Sequence, residues 1–207
     1  MSVKKIYLIR HGQTDFNVRG IVQGSGVDSD LNETGRRQAA RFFAAYKHVP
    51  FDKVYTSTLR RTQQSVQGFL NLGLAHEKNA GLNEISWGIR EGTRITAEED
   101  EEYHHVLEQW TQGNTAISLT GGESPDDVAA RQRAFIDLLL SRPEEETVLV
   151  CMHGRAMRVL LCQLLNYPLS FMDAFEHRNL CLYKLHYTGN MFTVRNFLDV
   201  NHLIEHG

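Results

Sequence analysis

Two apolar runs in this chain end on the same polar corner, and this repetition constrains the fold more than any other feature. Ile6, Tyr7, Leu8 and Ile9 lead without a polar spacer into Arg10, His11 and Gly12. Val148, Leu149, Val150, Cys151 and Met152 lead straight into His153 and Gly154. Continuous apolar runs of this length suit strands covered on both faces. The segments around them alternate in kind. A strand over residues 5–9 is followed by a Gly/Asp/Ser-rich loop, then by a helix over about 33–46 with Asn32 as its N-cap. A strand near 53–56 leads to a helix over roughly 58–70, for which Ser57 is a sensible N-cap. Ser124, Pro125 and Asp127 mark the start of a helix that runs to about 140. The strand at 147–152 gives way to a helix ending near 165, before Asn166 and Pro168. Residues 181–187 and 191–197 alternate as two closing strands, with Thr188, Gly189 and Asn190 as a hairpin turn.

Alternating strands and helices predict an α/β fold with a largely parallel sheet covered on both faces. In such sheets ligands bind beyond the carboxyl ends of the strands, where both His-Gly corners fall. Adjacent parallel strands would bring His11 and His153 together. The 207 residues contain no linker or solenoid-length repeat, so a single domain over 1–207 is expected.

Composition removes several function classes. A net charge of −3 and a pI near 6.4 support neither general nucleic-acid binding nor an anionic-membrane surface, so any positive site must be local. The four apolar residues after Lys5 are too few for a signal peptide or a membrane span. Cys151, Cys162 and Cys181 form neither a CxxC pair nor an even framework, so a reducing, cytoplasmic setting is expected. No HExxH or Cys/His cluster indicates a metal.

The residues at the strand ends point to an anion. Arginine is always charged, and crowding Arg10 with two histidines is costly unless an anion lies among them. After the second strand come Ser57, Thr58, Leu59, Arg60 and Arg61. Arginines in a first helical turn oppose the helix dipole, unless helix and guanidinium share an anion. Helix spacing does not choose between Arg60 and Arg61. Glu84 sits between Leu82 and Ile85, which suggests partial burial. Beside a dianion its carboxyl would hold a proton and could donate it to a leaving oxygen. Two histidines, two arginines and one acid make a phosphoryl-transfer site that needs no metal. A small phosphate ester, or phosphate itself, is the expected partner.

The motifs resemble those of the histidine phosphatase superfamily, the phosphoglycerate-mutase-like proteins. Arg10 to Asn17 is similar to RHG-x-T-x-x-N, and Gln23–Gly24 to the family's QG. Leu31-Asn-Glu-Thr-Gly-Arg-Arg-Gln-Ala39 resembles the helix start L-T/S-x-x-G-x-x-Q-A. Ser57-x-Leu59-x-Arg61-x-x-Gln64-Ser65 is similar to S-x-L-x-R-x-x-Q-T. Leu82-x-Glu84-x-x-Trp87-Gly88-x-x-Glu91-Gly92, then Gly122-Glu123-Ser124 with Arg131, and the His153-Gly154 corner complete the series. The resemblance implies a three-layer α/β/α sandwich. It implies that His11 is a nucleophile that becomes phosphohistidine, that Arg10, Arg61 and His153 hold the phosphoryl group, and that Glu84 is general acid and then base. Asn17 and Gln23, with Gly24 and Gly154, would line the phosphate and substrate side. It also selects Arg61 over Arg60. His11 must present a neutral nitrogen, while His153 would work better charged.

Two departures bear on substrate. Arg90 stands where the family often has Trp, and Arg155 follows the second His-Gly where many members have Gly. Arg155, with Arg90 and Arg94, could meet a second anionic group of a phosphorylated acid or a sugar bisphosphate. Mutases of this kind carry a long basic insert after the Glu loop. Here the corresponding lid, residues 93–120, is short and bears the acidic run 98–102. That favours a phosphomonoester hydrolase without a cofactor over a mutase, which would need a 2,3-bisphosphoglycerate primer. Retention of both histidines and Glu84 argues against a non-catalytic phosphate-binding module. An oligomer is compatible with the sequence, in which the apolar aromatics Phe171, Phe175 and Phe192 could be core or interface.

Overall fold

The computed structural model describes residues 3–94 and 97–204, the stretch 97–100 by its backbone alone. Six strands form one sheet: β1 (Lys4–Arg10), β2 (Lys53–Thr56), β3 (His76–Lys78), β4 (Thr147–Met152), β5 (Leu182–Tyr187) and β6 (Phe192–Asp199). Their order across the sheet is β3-β2-β4-β1-β5-β6. The first four are parallel, while β5 and β6 close the edge antiparallel. β1 and β4 are neighbours in register, Ile6 against Val148 and Arg10 against Met152. The two His-Gly corners therefore leave the sheet side by side.

Alternation along β1 and β4 divides the core into two layers. Ile6, Leu8, Val148, Val150 and Met152 pack on one face with residues of α6 (Pro125–Ser141) and α7 (Gly154–Leu165). Tyr7, Ile9, Leu149 and Cys151 pack on the other with Phe42 of α2 (Glu33–Tyr46) and Phe69 of α4 (Gln67–Leu70). The result is a three-layer α/β/α sandwich. Asn32 caps α2 by accepting from the Gly35 amide, and Ser124 with Asp127 forms a capping box at α6 with Pro125 at its first turn. Phe175 is buried, Phe192 is half-buried and Phe171 is exposed.

Two local expectations are corrected, and three elements are added. The helix expected over 58–70 is two short ones, α3 (Arg60–Ser65) and α4, broken at Val66. The N-cap of α3 is Leu59 rather than Ser57, because the Ser57 hydroxyl is drawn inward to other partners. β3 and the short helix α1 (Asp15–Arg19) carry too few apolar residues to show a period. The polar stretch near 95–113 contains α5 (Ala97–Thr111), which buries Val106 and Trp110 against the α6–α7 side of the core. Residues 95 and 96 and the side chains of 98–100 in the acidic run lie outside the described residues. Among the described residues no helix is long and apolar enough to cross a membrane.

Candidate active site

The turn that carries His11 is held by backbone packing that only glycine permits. A Cβ on Gly12 would stand 2.7 Å from the Gly35 carbonyl oxygen, and one on Gly35 would stand 2.1 Å from that of Gln13. The start of α2 thus presses directly on the turn. Asn32 donates from its backbone to Gln13 O and from its side chain to Gln13 Oε1, while Gln38 accepts from the Gln13 amide. Ser65 Oγ accepts from the Gly12 amide at 2.9 Å and donates to Arg61 O. Two of the matched motifs are therefore clamps on residues 12 and 13.

His11 is 3% exposed. Its Nδ1 lies 2.7 Å from the Gly12 carbonyl, which can only accept, so Nδ1 carries the proton. Among the described residues nothing bonds Nε2, which remains a bare lone pair. Burial, followed by Arg61 and Arg10, pushes its pKa well below 6.5, so the ring is neutral.

His153 is fully buried with its ring centre 5.1 Å from that of His11. Arg61 donates Nε to His153 Nδ1 at 3.2 Å, and Nε2 lies 2.8 Å from Ser57 Oγ. A nitrogen that accepts from a guanidinium cannot carry a proton, so His153 is neutral with its proton on Nε2. This corrects the expectation of a charged His153. The cause is burial first, then the positive charge of Arg61.

Arg61 is itself 0% exposed and bonds only neutral acceptors: His153, Val27 O at 2.5 Å and Gly24 O at 3.2 Å. A buried guanidinium without a bonded carboxylate is a seat for an anion. Arg60, by contrast, is exposed and pairs with Asp28 and Asp30. Arg10, on the strand end beside Met152, reaches His177 Nδ1 with Nη1 at 3.2 Å.

Glu84 arrives from a loop and is 7% exposed. Its Oε1 accepts from the amides of Ile85 at 2.9 Å and Ala156 at 2.8 Å, and its Oε2 from that of Arg155 at 3.1 Å. The carboxylate thereby caps α7, whose N-cap residue His153 makes no side-chain cap bond of its own. Arg131 fixes this loop. It donates to Gly81 O, Asn83 O and Glu84 O, and pairs with Glu123, which also receives the Ser86 amide. Glu91 accepts from the amides of Gly26 and Trp87, which ties the Gln23–Gly24 loop to the Glu84 loop.

Asn17 forms a capping box with Thr14, and Gln23 Nε2 donates to Thr14 Oγ1 at 2.8 Å. Both therefore line the His11 turn. Three site residues escaped the sequence reading. Asn179 donates to His11 O and to Asn17 Oδ1, His177 packs on Gly154, and Ser57 bonds His153. Of these only Ser57 lies in a matched motif. Arg90 pairs with Glu102 and Arg94 donates to Arg19 O from an exposed position, whereas Arg155 pairs with Asp173. Among the described residues no cluster could hold a metal ion.

Comparison with known proteins agrees with this geometry. The model of the histidine phosphatase superfamily, branch 1, matches residues 6–200. The chain is 30% identical to phosphoserine phosphatase 1 of Hydrogenobacter thermophilus over 83% of its own length and 81% of the relative's. It is 30% identical to a probable phosphoglycerate mutase of Yersinia pestis over 88% of its length and 85% of that protein's. A crystal structure of a putative alpha-ribazole-5'-P phosphatase from Escherichia coli superposes with a TM-score of 0.84 at 26% identity, covering 95% of this chain and 96% of that one.

Proposed function

The chain belongs to branch 1 of the histidine phosphatase superfamily and acts on phosphate esters, and from that premise we propose a metal-independent phosphomonoester hydrolase working through phosphohistidine. Residues 1–207 form one catalytic unit, with 93–120 as a short lid. The single observation that carries the reading is His11: its Nδ1 proton is committed to Gly12 O, its Nε2 is unbonded among the described residues, and the ring sits in the field of Arg61 and Arg10. Arg10, Arg61 and His153 hold the phosphoryl oxygens, and the Nε2–H of His153 can turn from Ser57 to one of them. Asn17, Gln23, Gly24 and Gly154 shape the surrounding wall, and Arg155 borders the leaving group.

In the first step His11 Nε2 bonds phosphorus, the bond to the ester oxygen breaks, and Glu84 delivers its proton to that oxygen. In the second step Glu84 takes a proton from water. The water oxygen bonds phosphorus and the phosphorus–nitrogen bond breaks, which restores His11 and releases phosphate. Fixed guanidinium charge stabilises the transferring group without reorganisation.

The test is turnover of p-nitrophenyl phosphate in the presence of chelator, beside His11→Ala. Chelator-resistant turnover and a dead variant are expected. Chelator-sensitive turnover, or an active variant, overturns the mechanism. The mutase reading draws on the Yersinia relative. It predicts that 3-phosphoglycerate with a bisphosphate primer gives mainly 2-phosphoglycerate rather than free phosphate, and that result would replace hydrolysis.

A further inference from the structure

His11 projects from a turn that is held from two sides. The start of α2 and Ser65 clamp residues 12 and 13. A different segment, residues 178–181 just before β5, holds residues 10 and 11. The Leu180 amide donates to Arg10 O at 3.1 Å, and Asn179 Nδ2 donates to His11 O at 3.0 Å. The His11 amide donates to Met152 O at 3.0 Å, so both polar atoms of its backbone are engaged.

Asn179 Nδ2 also lies 3.2 Å from Asn17 Oδ1. Donor chemistry fixes both amides. The atom of Asn17 that meets the Thr14 amide at 3.1 Å must accept, because a backbone N–H only donates. It is therefore the oxygen, and the atom of Asn179 between two oxygens is the NH2 group. With its oxygen held by two donors, Asn17 keeps its own NH2 end free. Among the described residues nothing accepts from Asn17 Nδ2, and that atom is not buried.

Asn179 is held in place at a cost. Leu180 is fully buried with φ at 55°, in the left-handed region that a bulky side chain rarely adopts. The Cys181 amide closes the turn on Arg178 O at 3.1 Å, and Leu180 O accepts from His202 Nε2 at 2.8 Å. His202 stands on the 3₁₀ turn Asn201–Leu203. Its ring is edge-on to Phe42 and Tyr46 of α2, with its centre 5.1 and 5.7 Å from theirs. Its Nδ1 is buried and has no hydrogen-bond partner among the described residues. A strained backbone and an unsatisfied nitrogen are both unfavourable. Both lie on the path that places Asn179.

We propose that Asn179 is a positioning residue: it fixes the His11 carbonyl and turns the Asn17 amide so that Asn17 Nδ2 donates to the transferring phosphoryl group, with His202 bracing it through Leu180. The inference rests on the roles proposed for His11 and Asn17. A donor fixed before reaction stabilises charge on the phosphoryl oxygens without reorganisation. Without Asn179 only the Thr14 amide orients Asn17. A flipped Asn17 would set its oxygen against the phosphoryl oxygens, which repel it.

The test is kcat and KM on p-nitrophenyl phosphate for Asn179→Ala, Asn17→Ala, the double variant and His202→Phe. Asn179→Ala should lower kcat by about 10- to 100-fold with KM little changed, the scale of a misplaced reacting group. Because Asn179 acts partly through Asn17, its cost should shrink by about threefold or more in the Asn17→Ala background. His202→Phe keeps the ring packing, leaves Leu180 O unpaired and removes the unsatisfied Nδ1. Its melting temperature should therefore change little, while kcat falls by about 3- to 10-fold. A purely structural histidine would move the melt and spare kcat. Wild-type kcat in Asn179→Ala, the same Asn179 cost in both Asn17 backgrounds, or wild-type kcat in His202→Phe would each overturn the proposal. Should Asn179→Ala not fold, His202→Phe decides. If wild type turns over and His11→Ala is dead while these variants match wild type, only this inference fails. No turnover by wild type would instead sink the functional reading.

Discussion

The two His-Gly corners are alike in sequence and opposite in state. At the end of β1, His11 spends one nitrogen on its neighbour's carbonyl and leaves the other bare. At the end of β4, His153 has both nitrogens engaged, by Arg61 and Ser57. The glycines differ too. Gly12 is pressed by backbone, Gly154 by a side chain. The same dipeptide thus presents an imidazole with one bare nitrogen at one strand end and one with both nitrogens bonded at the other. The difference comes from what each corner packs against. The first is clamped by the start of α2 and by Ser65, so its ring has no protein partner left for Nε2. The second opens a helix that Glu84 caps from outside, so its ring is free to brace Arg61.

The largest expected effect tests the division directly. His11→Ala should lose about 10⁴-fold or more in turnover, as removal of a nucleophile does, and should trap no phosphoenzyme. His153→Ala should lose about 10²- to 10³-fold, as removal of one transition-state donor does, and should still become phosphorylated. Equal losses, or a phosphoryl group recovered on residue 153, would erase the distinction.

Acid should weaken the fold next. His11, His153 and His177 all have folded pKa values below the ordinary 6.5, the last at about 3. As pH falls through 6.5 the unfolded chain takes up protons that the folded chain refuses. Stability is therefore full above 6.5 and is lost as pH drops towards 3. The slope is about 1.4 kcal/mol per pH unit for each histidine, or about 4 kcal/mol for three between pH 7.5 and 5.5. Urea unfolding at those two values measures it, and His11→Gln should remove about a third. An unchanged dependence in that variant would mean that the β1 corner is wetter than its burial implies.

The smallest effect separates the glycines. Gly12→Ala should destabilise by about 1–3 kcal/mol, because its methyl meets the Gly35 carbonyl and neither backbone can yield. Gly154→Ala meets only the His177 ring, which can turn, and should cost less than about 1 kcal/mol. A reversal in thermal melts would show that the second corner is the more rigid.

Much of this was legible in the chain. The buried strands announce themselves by uninterrupted apolar residues, and α2 and α6 by Asn32 and by Ser124, Pro125 and Asp127, because capping is local chemistry. His11, Arg10, Arg61, Glu84 and His153 could be named from ordered motifs. What each motif does could not. Gln64, Ser65 and Arg131 act on residues 31, 12 and 81–84, and no spacing rule reports contacts of that separation. β3 and the break at Val66 were missed because short elements owe their form to their neighbours rather than to a period.

The sequence alone determined an α/β sheet whose strand ends carry the chemistry, because burial pattern and caps act over a few residues. Only the tertiary structure decided that His153 is neutral, that Asn179 bonds His11 O and that His177 packs on Gly154. It alone showed that Arg155 shares Asp173 with Arg158, while Arg90 pairs with Glu102 and Arg94 donates to Arg19 O. A proton's place and a charge's partner depend on the groups that burial brings together, and those groups come from distant parts of the chain.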